Sequence, residues 1–347
     1  MNKLFKTLIV GFTVSMSAVS AFAGDPYKVR VPLTEDEEGA MVWLIDFDTK
    51  TKLDSALVTD KLAMFKGEID EPVMARLVID NQPYLTFVLE SGSYVADPIK
   101  KKAYGSMLND VVNEYAAKEA ELAQRFRAAT NDLEKQNIYN EYVALNQSTM
   151  KDNIDNPVGY YLFIDAASSM SPEELDAALK KYPDLAKYQR VQKILEGQAK
   201  KEATSPGKMF TDFEVTYDGK TERLSDYVGK GKYVLVDYWA SWCGPCIRQI
   251  PVLKELLAEY GDKGLEVFGV AVWDEPANTL QAIKSHGITW PCIINAQTIP
   301  TDLYGINGIP CIILYGPDGK ILSRDKQGDD LKADVRAAFD GTLKVDK

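Results

Sequence analysis

The pattern of apolar and polar positions divides the chain into three stretches. Residues 24–96 carry short runs of period two, and turn signals such as Gly67 and Glu71-Pro72 separate them. In the last run, Leu85, Phe87 and Leu89 share one face of a strand. This stretch predicts a small antiparallel β sandwich or barrel, with strands at residues 41–47, 61–66, 73–79 and 84–90.

Residues 97–203 show helical spacing instead. Apolar side chains recur three and four positions apart, and we interpret their aromatic members as core. Ser171-Pro172 followed by Glu174 is a typical helix start, with a capping serine, a proline in the first turn and a capping-box glutamate. A last helix is expected at residues 185–201. We find no catalytic constellation in this helical middle region.

From residue 204 strands and helices alternate, after a linker at Thr204-Ser205-Pro206-Gly207. Such alternation, ending in a hairpin, predicts an α/β domain whose mixed sheet is covered on both faces. We therefore expect a multi-domain chain with three folded parts, at residues 24–96, 97–203 and 204–347. The expected strands are a hairpin at 210–213 and 218–220, then 234–239, 266–273, 290–294, 311–315 and 320–324, and the expected helices are 224–227, 243–260, 277–286, 299–304 and 331–343.

Composition narrows the range of functions. A chain of 347 residues is long enough for two or three domains. The formal net charge of −11 argues against nucleic acid and against anionic membrane surfaces as partners. The β stretch contains no nucleophile, metal cluster or phosphate loop, and we expect neither a cofactor nor a metal.

The N-terminus predicts export. Lys3 and Lys6 accompany an apolar run at residues 8–19, and Ala21-Phe22-Ala23 forms a cleavage site, as in a secretory signal peptide. We expect cleavage after Ala23 and a periplasmic location; a retained membrane anchor is the alternative. Exported compartments are oxidising, so a dithiol there stays reduced only if electrons are supplied.

The candidate active site is the segment Cys243-Gly244-Pro245-Cys246, which follows an apolar strand and begins a helix. Unpaired amide groups and the helix dipole at that N-terminus stabilise a thiolate on Cys243. Cys246 lies one turn further on, where it can resolve a mixed disulfide. Half of a zinc site is the alternative, but Cys292 and Cys311 form no second C-x-x-C, and His286 is the single histidine.

This segment resembles the active site of the thioredoxin superfamily. Trp242 before the first cysteine, Gly244-Pro245 between the cysteines and Pro251 after them all match. The region from residue 204 resembles the TlpA/ResA branch of exported thiol–disulfide oxidoreductases, because of its N-terminal hairpin and its insert at residues 273–290. The N-terminal region resembles a β module of unknown function that precedes thioredoxin-like domains.

The resemblance implies roles for individual residues. Pro310 matches the cis-proline that packs on the disulfide, and the backbone of Ile309 would pair with an extended substrate. Asp237 matches the thioredoxin aspartate that accepts a proton from the resolving Cys246, and burial is expected to raise its proton affinity. The substrate-binding surface would comprise Trp242, Gly244, Pro245 and Ile309.

Two features depart from the family pattern near this aspartate. Many TlpA/ResA proteins have asparagine there and a glutamate after the second cysteine, where this chain has Gln249. Thioredoxin's partner lysine is also missing from the strand at residues 267–272. The chain therefore matches the thioredoxin arrangement at Asp237 but without the lysine.

The remaining cysteines leave three interpretations open. Cys311 follows the proline where the family usually has threonine, and Cys292 lies in the preceding short strand. Both are buried free thiols, or they form a disulfide with each other, or they exchange electrons with Cys243 and Cys246 as a second thiol pair.

We predict an exported enzyme that reduces protein disulfides through a mixed-disulfide intermediate. Its partners would be protein disulfide or dithiol substrates and a membrane electron donor of the DsbD/CcdA type, and its N-terminal regions offer surfaces for a dimer. The alternatives are an oxidant or isomerase with the same site and a redox-sensing binding protein. A peroxidase needs Pro-x-x-x-Thr-x-x-Cys, but those positions hold Val236 and Ala240.

Overall fold

The computed structural model describes residues 24–345. The expected signal peptide therefore lies outside the described residues. The chain forms two compact units, one ending at Ala166 and the other beginning at Ala167. Each unit is described by itself below.

The first unit begins with two four-stranded sheets. Alternate side chains of the first strand, Val29 and Val31 among them, are fully buried, and Leu77 and Phe87 from the other sheet join the same core. The sheet orders are β4-β1-β7-β8 and β3-β2-β5-β6, so two inner faces enclose one apolar layer. The strands are β1 (Asp25–Pro32), β2 (Met41–Asp46), β3 (Lys52–Leu57), β4 (Leu62–Ile69), β5 (Val73–Ile79), β6 (Gln82–Leu89), β7 (Gly92–Asp97) and β8 (Lys102–Tyr104).

The antiparallel β domain predicted from the alternation is confirmed, although its strands are more numerous than the pattern indicated. Strands β1, β3, β7 and β8 were not predicted. β1 pairs antiparallel with β4 but parallel with β7, a pairing that local alternation cannot show. The last strand ends at Tyr104, beyond the boundary expected near residue 96.

Helices α1 (Met107–Ala128), α2 (Asp132–Asp152) and α3 (Pro157–Ala167) follow the sheets. Ser106 caps α1 by accepting the amide N–H of Asn109, and Asn131 caps α2. Asn109 also bonds both backbone groups of Val88 on β6, which fixes α1 to the sheet. Across residues 24–345, none of the helices has the length and apolar character that crossing a bilayer requires.

The second unit opens with helices α4 (Pro172–Lys181) and α5 (Gln189–Ala203). The predicted capping box at Ser171 and Glu174 is present. The single helix expected at residues 185–201 is instead a 3₁₀ turn at Pro183–Lys187 followed by α5. The expected hairpin is present as β9 (Glu214–Tyr217) and β10 (Lys220–Arg223), but both strands lie later than predicted. Asp218-Gly219, expected at the start of the second strand, forms the turn instead.

A five-stranded mixed sheet forms the centre of this unit, in the order β13-β12-β11-β14-β15. β11, β12 and β13 are parallel to one another, β14 runs antiparallel to β11, and β15 runs antiparallel to β14, as in the predicted α/β fold with its C-terminal hairpin. The last helix begins at Gly328 and ends at Phe339, earlier than expected. The elements are β11 (Tyr233–Trp239), α6 (Gly244–Tyr260), β12 (Leu265–Ala271), α7 (Pro276–Ser285), β13 (Cys292–Ile293), α8 (Ile299–Tyr304), β14 (Cys311–Tyr315), β15 (Ile321–Arg324) and α9 (Gly328–Phe339).

Each face of this sheet packs on its own apolar core. On β11, Leu235 and Trp239 face the core formed with α6, α7 and α9. Val236 and Tyr238 point the other way, toward α8 and the β9–β10 hairpin. Because successive side chains of a strand alternate, Asp237 lies on the α6 face.

Helix α5 belongs to the same unit as this sheet. Arg324 at the end of β15 is buried and donates to the backbone oxygens of Thr204 and Tyr304. A side chain on Gly305 would lie 2.3 Å from the carbonyl oxygen of Gly197 on α5, so the helix and the α8 turn meet backbone to backbone. The domain boundary placed at residue 204 remains a proposal, since α5 packs closely on this part of the fold.

Candidate active site

The loop from β11 to α6 places Cys243 at the N-cap of α6. Its sulfur accepts the backbone N–H of Cys246 at 3.2 Å, which satisfies one of the amides that a helix N-terminus leaves unpaired. Pro245 suits the first helical turn because it has no N–H to satisfy. Cys243 and Cys246 are buried, whereas Gly244 and Pro245 beside them are exposed.

The two cysteines are joined by a disulfide, with Cα atoms 5.3 Å apart. The sulfur of Cys243 lies 3.7 Å from the carbonyl oxygen of Ile309. The Ile309-Pro310 bond is cis, and it directly precedes β14. The structure therefore brings together the cysteine pair and the proline loop that the sequence predicted as one site.

A buried carboxylate holds the turn that leads into Cys243. Asp274 accepts the backbone N–H of Ser241 at 2.8 Å and the Ser241 hydroxyl at 2.9 Å. It also accepts the Thr279 hydroxyl at 2.7 Å and the backbone N–H of Glu275 at 3.0 Å. With four donors on its two oxygens, this carboxylate fixes the position of Ser241 against α7.

The neighbouring Trp273 holds the exposed Trp242. The indole ring of Trp242 is 62% exposed, and its Nε1–H donates to the carbonyl oxygen of Trp273 at 2.9 Å. Trp273 has a φ of 52°, a left-handed conformation that is rare for a bulky residue. The exposed ring beside the cysteines is an apolar surface suited to a substrate chain.

Asp237 lies deeply buried on β11, on the face that packs against α6. Its side chain is 2% exposed, and its Oδ1 has no hydrogen-bond partner. Burial raises the pKa of this carboxyl from 3.8 to about 7, since the charged form is poorly solvated there. Near neutral pH it can therefore either hold or release a proton.

Gln249 stands where many TlpA/ResA proteins have a glutamate, and its side chain bonds the start of α9. Its Oε1 accepts the backbone N–H of Gly328 at 3.0 Å, which ties α6 to the start of α9. In the register of the sheet, Gly269 of β12 stands beside Asp237. Thus neither a carboxyl from α6 nor a lysine from the neighbouring strand position assists Asp237.

Of the three interpretations of Cys292 and Cys311, the structure agrees with two free thiols and not with a disulfide between them. Both are free cysteines. Cys292 lies on β13 with its side chain in the α6 core, whereas Cys311 lies on β14 in the opposite core. Two strands separate β13 from β14, so their Cα atoms are roughly 14 Å apart at about 4.8 Å per strand, far beyond disulfide reach.

The free thiols have different surroundings. Cys311 donates to Asp325 at 3.2 Å, and burial with the nearby carboxylate raises its thiol pKa. Burial together with Asp237 raises the thiol pKa of Cys292 to about 12. Both therefore remain protonated thiols near neutral pH. His286, the single histidine, is exposed at the end of α7.

Two contributing residues were not identified from the sequence. Asp274 was not predicted, although an aspartate just before a helix start is a common acceptor for the backbone N–H groups there. Gly269 was predicted only as part of a strand, although an isolated glycine inside a strand indicates that a neighbouring group approaches the backbone closely.

The strand–turn–helix, its paired cysteines and the adjacent cis-proline define a thioredoxin-fold domain with a redox dithiol. Residues 206–324 match the AhpC/TSA family, and residues 27–112 match a domain of unknown function, DUF4369. The second match confirms the resemblance predicted for the N-terminal module.

Named proteins resemble the same C-terminal part. The thiol-disulfide oxidoreductase ResA of Geobacillus kaustophilus is 32% identical over 122 residues, which are 35% of this chain and 69% of the relative. The protein of the same name from Geobacillus thermodenitrificans is 33% identical over 119 residues, 34% of this chain and 65% of that protein. The chain thus spans just under two thirds of this second relative.

The chain belongs to the ResA family of the thioredoxin superfamily. The predicted class, a thiol–disulfide oxidoreductase, is thereby confirmed.

Solved structures align with the same part of the chain. The thioredoxin domain of a thiol-disulfide oxidoreductase from Bacteroides vulgatus is 27% identical with a TM-score of 0.34, and the alignment covers 40% of this chain and 99% of that one. A thiol:disulfide interchange protein from Bacteroides sp. is 29% identical with a TM-score of 0.36, and the alignment covers 41% of this chain and 95% of that one.

Proposed function

We propose that this protein reduces disulfides of exported proteins through Cys243 and Cys246. The observation that carries the proposal is the position of the Cys243 sulfur, which accepts an amide N–H at the start of α6 and lies against the Ile309 carbonyl. A sulfur in that position is stabilised as a thiolate and is adjacent to backbone groups that an extended substrate can pair with.

The reaction begins with the reduced protein. The Cys243 thiolate attacks one sulfur of the substrate disulfide, so that a bond to Cys243 forms and the substrate S–S bond breaks. The second substrate sulfur leaves as a thiolate and takes a proton from solvent. Trp242 and the Ile309 backbone would hold the substrate chain during this step.

The mixed disulfide is resolved by Cys246. Asp237 accepts the proton of the Cys246 thiol, and the resulting thiolate attacks Cys243 and releases the first substrate sulfur. The substrate gains two electrons and two protons, and the protein is left with the Cys243–Cys246 disulfide. A carboxyl with a pKa of about 7 is suited to this proton transfer at neutral pH.

Regeneration requires a dithiol partner. In an oxidising compartment we infer a membrane electron donor of the DsbD/CcdA type, consistent with the signal peptide expected at residues 1–23. Gly244-Pro245 between the cysteines, the dipeptide of reducing thioredoxins, favours the reductase over the oxidant or isomerase. The DUF4369 module and the helices of the first unit would serve as a partner-binding or dimerisation surface.

Trapping the intermediate tests these roles. In a Cys246→Ser variant the mixed disulfide cannot be resolved, so a covalent adduct with a disulfide-bonded peptide should accumulate and be visible by mass spectrometry. A Cys243→Ser variant should form no adduct. Adducts on Cys246 but not on Cys243 would reverse the assigned roles and refute the mechanism.

A further inference from the structure

A row of three residues crosses the sheet beside the active-site helix. Asp237 of β11 pairs with Gly269 of β12, and Gly269 pairs with Cys292 of β13. Laterally paired residues of adjacent strands point to the same face. Asp237 and Cys292 therefore share the α6 face, with only a hydrogen atom on the residue between them.

The space above Gly269 is where the side chains converge. A Cβ atom at Gly269 would lie 2.5 Å from the sulfur of Cys292 and 3.2 Å from Nε1 of Trp239. The Cys292 side chain thus leans over the glycine from β13 toward β11. A residue larger than glycine at this position would displace it.

Two polar atoms in this cluster are buried and unpartnered. They are Oδ1 of Asp237, on a side chain 2% exposed, and Nε1 of Trp239, on a side chain 1% exposed. The Cys292 thiol donates to the carbonyl oxygen of Trp290 over a long 3.8 Å, and its sulfur also interacts with the backbone of Gly269. Rotation about the Cα–Cβ bond and of the S–H can redirect this donor toward Asp237.

The other groups around this row supply no charge that could replace the thiol. Burial is the cause of the raised pKa of Asp237, and no basic side chain in the described part of the chain counters it. On the β14 side, Ile312 pairs with Asp237, and the buried α6 residues of the same core, Cys246 among them, carry no charged side chain. Glu222 and Tyr227 interact with Cys292, but Glu222 is an anion and the Tyr227 hydroxyl already donates to Glu222 at 3.0 Å.

We propose that Cys292 is a positioning residue for Asp237: its thiol donates a hydrogen bond to the ionised carboxylate across the space left by Gly269. The inference rests on the proposed function only for its effect on proton transfer from Cys246. The hydrogen bond itself can be measured without any catalytic turnover. It makes Cys292, from one strand further away, an uncharged partner for Asp237 in a chain without the lysine that thioredoxins carry on the neighbouring strand.

The test is the titration of Asp237 in the oxidised full-length protein, in which Cys243 and Cys246 do not titrate. Infrared difference spectra report the C=O band of a protonated carboxyl. Glu119 also has a raised pKa, so the Asp237 band is identified as the one lost in Asp237→Asn. Titrations of Cys292→Ala and Cys292→Ser are then compared.

Cys292→Ala should raise the titration midpoint of Asp237 by roughly one pH unit, because the ionised form loses a donor. Cys292→Ser keeps a donor of similar size and should restore the original midpoint. Gly269→Ala, which pushes the thiol aside, should act like Cys292→Ala. Cys311→Ala is the matched control, since it removes a buried thiol from the opposite face, and should leave the midpoint unchanged.

Three outcomes would overturn the proposal. They are an unchanged midpoint in Cys292→Ala, equal shifts in the Ala and Ser variants, and a shift produced by Trp239→Phe but not by Cys292→Ala, which would assign the donor to the indole. None of them affects the proposed disulfide reduction, which fails instead if adducts form on Cys246 and not on Cys243.

Discussion

The buried carboxyl of Asp237 should make the second unit less stable as the pH rises. Its pKa is about 7 in the fold against an ordinary value of 3.8. Since the pKa is higher in the folded state, the carboxyl does not lower the free energy of unfolding below about pH 4, where it is protonated in both the folded and the unfolded state. The cost develops between about pH 4 and pH 7 and is complete above the folded pKa.

The size of this cost follows from the pKa difference of about three. At 1.36 kcal/mol for each pH unit, the ionised carboxyl lowers the free energy of unfolding by ~4 kcal/mol at pH 8. Asparagine at position 237 has the same shape and does not ionise. Asp237→Asn should therefore gain ~4 kcal/mol relative to the unaltered protein between pH 4 and pH 8.

Urea unfolding of the oxidised protein at pH 4, 6 and 8 measures this gain. Tryptophan fluorescence suits the assay, because four of the five tryptophans lie in the second unit and only Trp43 lies in the first. Asp274→Asn is a matched control, since it alters a buried carboxyl that accepts four hydrogen bonds, and it should lower stability. An Asp237→Asn gain that does not change with pH would refute the reasoning.

Three further predictions concern the same unit. Asp274→Ala leaves the N–H of Ser241 without its acceptor and should lower the free energy of unfolding in urea by ~2 kcal/mol. It should also slow alkylation of Cys243 in the reduced protein, and unchanged values in both assays would exclude a positioning role for Asp274. Gly305→Ala, at φ 61° and against the α5 backbone, should cost more than ~2 kcal/mol in the same assay, whereas a neutral effect would contradict the close packing of α5. Resolution of the mixed disulfide by Cys246 should rise with pH and be half-maximal near pH 7, in single-turnover kinetics, and a profile unaffected by Asp237→Asn would remove the carboxyl from the mechanism.

The central features of the site could be predicted because they are local in sequence. The cysteines, the turn before them and the helix after them occupy one continuous segment. Burial of Asp237 followed from its position in an apolar strand, and the proline loop was found through the family resemblance. For the cysteines and for Asp237, residues adjacent in sequence determine the local structure, so the pattern alone could predict it.

The features that escaped prediction depend on register between distant segments. Cys292 and Cys311 both lie in short strands near the site, but only the strand order shows that they face opposite cores. The role of Gly269 likewise follows from its pairing with both Asp237 and Cys292. The anchoring of α5 through Gly305 joins residues about a hundred positions apart.

The reduction potential of the Cys243–Cys246 pair tests the central claim most directly. The full-length protein is equilibrated with glutathione buffers and its oxidised fraction is read from tryptophan fluorescence, with Cys311→Ser as a control for the free thiol beside Pro310. The proposed reductase predicts a potential near that of thioredoxin, about −270 mV. A potential near about −120 mV, that of a strong disulfide oxidant, would contradict the account and make this protein a disulfide donor.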